Sequence, residues 1–436
     1  MAAKKMFGAA DASILVTGLS RSFDDGLEIV AALRDDLGKP ELESSVYEVS
    51  LLRNSIKLAL KQLKNWMAPE KAKTSLTTFP ASAEIVSEPL GVVLVISAWN
   101  YPFLLSIDHV IGAISAGNAV VLKPSELAPA SSALLAKLLE QYLDSSVVRV
   151  VEGAVTETTA LLEQKWDKIF YTGSSKIGRV IMAAAAKRLT PVVLELGGKS
   201  PVVVDSDTDL KVTVRRIIAG KWGCNNGQAC ISPDYILTTK EYAPKVIDAM
   251  KKELETFYGK NPMESKDMSR IVNSTHFDRL SKLLDEKEVS DKIVYGVKKI
   301  FGPLLPILTL NNLEESFDMI RSRPKPLAAY LFTHNKKLKE RFATTVSAGG
   351  IVVNDIAVHL ALHTLPFGGV GESGMGAYHG KFSFDAFSHK KAVLYRSLFG
   401  DSAVRYPPYS RGKLRLLKAL VDSNIFDIFK ALLGLS

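Results

Sequence analysis

From residue 91 onward the chain alternates short β-branched runs with helical patterns, and this alternation limits the fold more than any other feature. The runs fall at residues 91–96 (GVVLVI), 119–122, 147–151, 168–172 and 192–196. Between them Leu134, Leu135, Leu138, Leu139 and Tyr142 make one apolar helical face, and Ile177, Val180, Ile181 and Ala184 make another. Strand, helix, strand at this spacing predicts a parallel sheet covered on both faces, the doubly wound α/β architecture. In such sheets the ligand crevice lies beyond the carboxyl ends of the strands. A second α/β unit is expected over 200–380, with apolar runs at 201–204, 304–310, 327–332 and 350–354. Residues before 71 and residues 241–284 read as mainly helical. At roughly 150 residues per domain, 436 residues allow two or three domains.

Charge and cysteine content narrow the setting. The chain carries 55 Lys and Arg against 46 Asp and Glu, a net charge of +9. Part of that excess gathers after residue 404, where Arg405, Arg411, Lys413, Arg415, Lys418 and Lys430 face only Asp422 and Asp427. No aromatic-rich basic motif accompanies it, which argues against nucleic acid. Two cysteines cannot staple a chain of this length, so a reducing compartment is expected. The N-terminus lacks the apolar core of a secretory signal, and no apolar run of about 18 residues predicts a spanning helix. A cytoplasmic protein is the simplest expectation. Residues 413–435 repeat Leu, Ile and Phe at spacings of three and four with basic residues between, predicting an amphipathic helix. Such a helix can lie on an anionic membrane or dock on protein.

Four segments could carry chemistry. Gly173-Ser-Ser-Lys-Ile-Gly178 follows a predicted strand and opens a predicted helix, where unpaired N–H groups meet anions. It lacks the middle glycine of the dinucleotide fingerprint, and a plain strand-to-helix turn accounts for it equally well. Cys230 sits in the polar stretch Cys224-Asn-Asn-Gly-Gln-Ala-Cys230, too polar for a core cysteine, near an expected helix start that would lower a thiol pKa. Glu195 ends an apolar strand before two glycines. Poor solvation there raises a carboxyl toward the range of a general base, whereas pairing with Lys199 would make it merely structural. His359 and His363 share the i, i+4 spacing of a zinc helix, but no Glu follows His359 and no third ligand is evident, so no metal is expected.

Taken together and in order, these pieces resemble the aldehyde dehydrogenase superfamily, in particular its fatty-aldehyde class and the plant members of that class. The matching elements are Ser97-Ala-Trp99-Asn100-Tyr-Pro, Leu122-Lys123-Pro-Ser-Glu126, Tyr171-Thr-Gly173-Ser174, Leu194-Glu195-Leu-Gly-Gly-Lys-Ser-Pro, Gly227-Gln-Ala-Cys230, Ile300-Phe301-Gly-Pro and Leu365-Pro-Phe367-Gly-Gly-Val-Gly-Glu-Ser-Gly. Any one could arise by chance; seven in order could not. The resemblance implies a Rossmann-like NAD-binding domain over 1–72 and 90–197 and an α/β catalytic domain over 198–387. It also implies a small β oligomerisation extension over 73–89 and 388–400, leaving 401–436 as the tail. It implies oxidation of medium- or long-chain aliphatic aldehydes through a thiohemiacetal and a thioester on Cys230. Asn100 would hold the oxyanion, and Glu195 would activate water. Trp99, Lys123, Glu126, Gly173, Ser174, Gly178 and Phe301 match the cofactor-binding positions. A carboxylate at Glu126 favours NAD, with NADP also open to this class. A homo-oligomer, with a dimer favoured, and a cytoplasmic enzyme touching a membrane such as the endoplasmic reticulum complete the expectation.

The sequence departs from the family twice. The family places Glu two residues before the Phe of its Glu-x-Phe-Gly-Pro motif, where it binds the nicotinamide ribose; here that position is Lys299. The segment that normally precedes the motif is missing after Tyr295, and the long helix near Gly26 is missing too. Both joins read as omissions of whole segments. They motivate a second reading, a catalytically impaired member acting as a subunit- or membrane-binding protein. A third is a thiol hydrolase without redox chemistry. A cation at 299 cannot accept ribose hydrogen bonds, each worth about 1.5–3 kcal/mol to a charged acceptor. Restoring a Glu there together with the missing segment is therefore expected to tighten NAD binding in calorimetry and raise the melting temperature. Unchanged affinity and melting temperature would refute this.

Overall fold

The computed structural model describes residues 8–23, 26–78, 80–293, 304–399, 401–422 and 424–433. Lys299 and Phe301 lie outside the described residues, as do Asp24 and Asp25 at the first join. Two compact units emerge, one running through Leu63 and then Pro89–Phe387, the other made of Lys64–Glu88 and the chain from Ser388 onward.

The first unit holds two sheets. In the six-stranded sheet the order is Gly374–Met375, Val192–Leu196, Lys168–Gly173, Val92–Ile96, Ala119–Lys123 and Val148–Val150. All neighbours run parallel except the two-residue strand Gly374–Met375, which pairs antiparallel with Leu194 and Glu195. Parallel strands need crossovers, and the helices Leu104–Ser115, Pro129–Tyr142 and Ser175–Ala186 supply them. Because both faces are covered, the strands are continuous apolar runs, with Val93, Leu94, Val95 and Phe170 fully buried. From Val92–Ile96 the chain moves outward one way to Ala119–Lys123 and Val148–Val150, then returns to the opposite side at Lys168–Gly173. That reversal opens a crevice beyond Ile96 and Gly173.

The five-stranded sheet is parallel throughout, in the order Ile307–Leu310, Pro233–Thr239, Ser200–Val204, Ala328–Phe332, Gly350–Val353. Its second strand, Pro233–Thr239, has no counterpart among the apolar runs read from the sequence. Asp234, Thr238 and Thr239 interrupt the apolar pattern, yet Tyr235, Ile236 and Leu237 are buried and the Thr238 hydroxyl donates to Val204 O at 2.8 Å. Pro233 is tolerated as the strand's first residue. The helical stretch expected over 241–284 is two helices, Ala243–Tyr258 and Ser274–Asp285. Gly259 at φ +74° and Pro262 end the first.

In the second unit, Glu70–Ala72 pairs antiparallel with Ala81–Pro89, which also neighbours Ser388–Arg396. The tail forms two helices, Arg411–Val421 and Ile425–Leu432, rather than the single one its periodicity suggests. Asn424 explains the break, since its side chain accepts from the Phe426 and Asp427 N–H groups and starts the second helix.

One buried ion pair braces the N-terminal helices of the first unit. Lys39 Nζ lies 2.5 Å from Glu48 Oε1, with both side chains fully buried, and 3.9 Å from the centroid of the Tyr101 ring. The other oxygen of Glu48 accepts from the N–H groups of Phe103 (2.9 Å) and Leu104 (3.1 Å). Breaking such a pair strands a buried charge, which costs about 3–5 kcal/mol. Glu48→Ala is expected to lose at least that much in denaturant titration, while the double change Lys39→Met with Glu48→Gln, which removes both charges but keeps an acceptor for the Phe103 and Leu104 N–H groups, recovers part of it. Equal losses in the two variants would refute the assignment.

Candidate active site

Glu195 sits in the strand Val192–Leu196, 1% exposed. Burial pushes its carboxyl up to about 8, and the charge of Asp108 adds to the rise. The hydroxyls of Tyr378 and Thr172 and the Cys230 thiol counteract it only partly. Lys199 is not its partner; that ammonium pairs with Asp234 at 3.2 Å.

Cys230 does not begin a helix. It lies in a turn between the short 3-10 turn Asn225–Gly227 and the strand Pro233–Thr239. Asn225, Asn226 and Gly227 all have positive φ (51°, 50° and 76°), a conformation Asn and Gly adopt most readily, and it reverses the chain just before the cysteine. No helix dipole lowers this thiol. Burial first, and then the Glu195 charge, push it well above its ordinary value, while the N–H groups of Cys230 and Ile231 pull the other way. The Cys230 thiol donates to Glu195 Oε1 across 3.9 Å, a sulfur–oxygen contact that joins the two expected reactive groups.

Asn100 follows the strand Val92–Ile96 and is tied to the cysteine turn. Its side-chain amide donates to Gln228 O at 2.8 Å, and the Asn225 side chain donates back to Asn100 O at 2.9 Å. One Asn100 N–H is thereby committed and the amide plane fixed. Asn100, Glu195 and Cys230 line one cavity of about 480 Å³ together with Trp99, Gly173 and Ser174.

The remaining expected cofactor positions are placed differently. Lys123, 3% exposed, ends the strand beside Val92–Ile96 and pairs with Glu126 at 2.7 Å. Gly178 is buried inside the helix Ser175–Ala186, where a Cβ would meet Leu196 at 2.8 Å, so its lack of a side chain lets that helix pack on the Glu195 strand. At Gly173 a Cβ would meet the Tyr171 hydroxyl at 2.2 Å, and Ser174 caps the helix by accepting from Ile177 N–H. A bare glycine and a capped helix N-terminus after one strand, and a lysine–glutamate pair after another on the far side of Val92–Ile96, suit a dinucleotide's phosphates and ribose hydroxyls. His359 lies in the 3-10 turn Val358–Ala361 and stacks on Phe367, and His363 meets His379 edge-on. The zinc-helix spacing is therefore not realised as a helix.

Sequence reasoning missed Thr172, Tyr378, Asp108 and His109, all of which surround Glu195. Asp108 and His109 did leave a signal, an adjacent polar pair inside the otherwise apolar stretch Leu104–Ser115. Tyr378 left none.

With this geometry in view, likenesses to known proteins can be placed. The sequence profile of the aldehyde dehydrogenase family matches residues 23–299 and 287–393, two stretches that overlap beside the second join. Aldehyde dehydrogenase family 3 member H1 of Arabidopsis thaliana is 84% identical over 484 aligned positions, covering all of both chains. Those positions exceed this chain's 436 residues by 48, in line with the segments missing here. The rat (Rattus norvegicus) protein named aldehyde dehydrogenase, dimeric NADP-preferring, is 45% identical, covering 89% of this chain and 91% of its own. A substrate-bound structure of Staphylococcus aureus AldH superposes with a TM-score of 0.90 at 39% identity, covering 96% of each chain. The ordered motifs, the doubly wound sheet and these likenesses agree: the chain belongs to the aldehyde dehydrogenase family, and it is an aldehyde dehydrogenase of the plant family 3 type.

Proposed function

We propose that this enzyme oxidises medium- and long-chain aliphatic aldehydes to carboxylic acids, with Cys230 as nucleophile, Asn100 as oxyanion donor and Glu195 as general base. The observation that carries the reading is the contact between the Cys230 thiol and the buried Glu195 carboxyl inside the cavity that Asn100 also lines. Leu105, Ile271, Leu280, Leu283 and Leu304 give the same cavity apolar walls, beside the charged Lys199, Lys221, Asp234 and Arg279, and those walls suit an aliphatic chain.

The thiol proton passes to the Glu195 carboxylate as sulfur bonds to the aldehyde carbon, and the carbonyl oxygen becomes the oxyanion of a thiohemiacetal. The second N–H of the Asn100 amide and the Cys230 N–H receive that oxygen, donors whose loss typically costs roughly 10²–10³ in rate. A bound nicotinamide dinucleotide supplies the hydride acceptor. Lys123, Glu126, Gly173, Ser174 and Trp99 are the residues that would hold it, with Glu126 favouring NAD and NADP as an alternative. Glu195 first releases the thiol proton to solvent and then takes a proton from water as the water oxygen bonds to the thioester carbon; the carbon–sulfur bond breaks, the leaving Cys230 sulfur recovers that proton, and the carboxylic acid departs.

We further assign the strands Ala81–Pro89 and Ser388–Arg396 to a homodimer contact, supported by the dimeric name of the rat relative. Among the described residues no helix is long and apolar enough to cross a membrane. The tail nevertheless exposes Leu414, Ile425, Phe426 and Phe429 beside its basic residues, which supports peripheral contact between a cytoplasmic enzyme and an anionic membrane such as the endoplasmic reticulum.

Two measurements test these assignments. NADH absorbance with hexanal should vanish in Cys230→Ala and fall about 10²–10⁴-fold in Glu195→Gln. Because only the ionised carboxyl accepts a proton, turnover in the parent should rise with pH through about 8. Turnover surviving in Cys230→Ala sinks the mechanism. Truncation after Arg405 should abolish sedimentation with phosphatidylserine vesicles, and equal sedimentation of both chains removes the membrane assignment.

A further inference from the structure

Against Glu195 lies a cluster of buried side chains that the mechanism above does not use, reached through Thr172 in the cavity wall. His109, on the helix Leu104–Ser115, is completely buried there. Its ring stacks on Phe170 with centroids 3.8 Å apart and meets Tyr378 edge-on at 4.7 Å. Nε2 lies 3.4 Å from the Thr172 hydroxyl, and Nδ1 has no hydrogen-bond partner. Thr172 stands directly opposite Glu195 in the register of adjacent strands, and its hydroxyl, beside the carboxyl, favours the ionised form. Glu195 Oε2, in turn, has no partner of normal hydrogen-bond geometry.

A fully buried imidazole in this setting is neutral; burial holds its pKa down to about 3. One ring nitrogen then carries hydrogen and the other a lone pair. With hydrogen on Nε2, the ring donates to Thr172 Oγ1 and the Thr172 hydrogen turns toward Glu195. With hydrogen on Nδ1, Nε2 consumes the Thr172 hydrogen, and a donor is stranded at Nδ1 with nothing to receive it. Buried orphan N–H groups are rarer than under-used acceptors, so the first arrangement prevails while Glu195 is ionised. We propose that His109 is a positioning residue for Glu195: through Nε2 it fixes the direction of the Thr172 hydroxyl so that the hydroxyl donates to the Glu195 carboxylate. Glu195 is thereby kept competent to accept a proton from water even though it is buried. This rests on the assignment of Glu195 as the general base.

The charged and titratable groups facing this cluster are Asp108 from the same helix, Tyr378 and His379 from the segment after Gly374–Met375, with His363 beside His379, and Cys230 from the nucleophile turn. None of them is altered in the test. It follows steady-state hydrolysis of p-nitrophenyl acetate by the full chain from pH 6 to 9.5, a reaction needing only Cys230 acylation and deacylation. Removing a hydrogen bond donated to a carboxylate makes ionisation harder, so the acid limb should move upward. His109→Phe keeps the stack on Phe170 but loses the donor. Its limb is expected to rise by about half to one pH unit, which means roughly 3–10-fold slower deacylation at pH 7 and near-parental rates at pH 9.5. Thr172→Val, which removes the donating hydroxyl itself, should shift the limb at least as far, the double variant no further than Thr172→Val alone, and His109→Gln, whose amide can still donate, should keep the parental limb. Where His109→Phe fails to fold, His109→Asn, too short to reach Thr172, takes its place. A parental limb in the His109 variant beside a shifted limb in Thr172→Val overturns the proposal, as do additive shifts in the double variant. A Glu195→Gln control that keeps the acid limb overturns the general-base assignment instead, so the two failures are told apart.

Discussion

The candidate site depends on a lattice of hydrogen bonds between two loops that have no ladder of their own. The loop after Ile96 carries Asn100, and the turn before Pro233 carries Cys230. Backbone groups buried in irregular chain must find side-chain partners or lose about 1–3 kcal/mol each. Here Asn100, Asn225 and Gln228 provide them by bonding across the two loops. Two buried glutamates then pin the pair to the N-terminal helices. Glu48 accepts from the Phe103 and Leu104 N–H groups, while Glu43 accepts from Asn225 N–H at 2.6 Å and from the Ser269 hydroxyl at 2.9 Å. Burial raises the Glu43 carboxyl above its ordinary value, with Lys39 the main counterweight. The helices before residue 51 therefore act as the base plate of a site whose reactive groups lie 50 to 190 residues further along.

The Glu195 carboxylate raises the Cys230 thiol, while the thiol, by donating to it, favours the ionised carboxyl, and this couples the order of the chemistry. Two anions 3.9 Å apart in a desolvated cavity repel strongly, so the site holds one negative charge rather than two. Forming the thiolate therefore means protonating Glu195. In the proposed reaction the carboxyl ends the first half carrying that proton, and it must lose it before it can act on water. A helix N-terminus beneath Cys230 would have broken this coupling by stabilising the thiolate independently of Glu195. The observed turn, held by three residues of positive φ, keeps the two groups interdependent.

The five parallel strands of the six-stranded sheet were legible because burial on both faces writes itself as uninterrupted apolar sequence; Val192–Leu196 was read with its observed ends, whereas the short antiparallel strand Gly374–Met375 left no such run. Glu195 and Cys230 stood out for the opposite reason, as a charge in an apolar run and a thiol in a polar one. What escaped was anything set by partners remote in sequence. The strand Pro233–Thr239 is fixed by pairing with Ser200–Val204 and Ile307–Leu310, not by its own pattern. His109 and Tyr378 meet across a sequence separation of 269 residues. The expected helix start at Cys230 failed because Asn-Asn-Gly, read as a helix approach, supplies left-handed residues instead. The tail's period predicted helix correctly but could not weigh Asn424 as a cap against the continuing apolar repeat.

The shortening of this chain bears unequally on the two halves of the reaction. Among the described residues the five-stranded sheet ends at Ile307–Leu310, just beyond the second join, so an edge strand stands there. Ile307 pairs with Ile236 in the strand that follows Cys230, and no other strand of this sheet separates the join from the nucleophile turn. Yet the turn itself is held from the other side, by Asn100, Glu43 and Arg270, whose carbonyl accepts from the Gln228 amide at 2.8 Å. Those contacts come from elements that lie before the join. The thiol–carboxyl chemistry is thus anchored independently of the lost segment, whereas the position the family gives to a ribose-binding carboxylate, here Lys299, lies inside the altered stretch. Cofactor binding, rather than acyl transfer through Cys230, is the part of the reaction exposed to the omission.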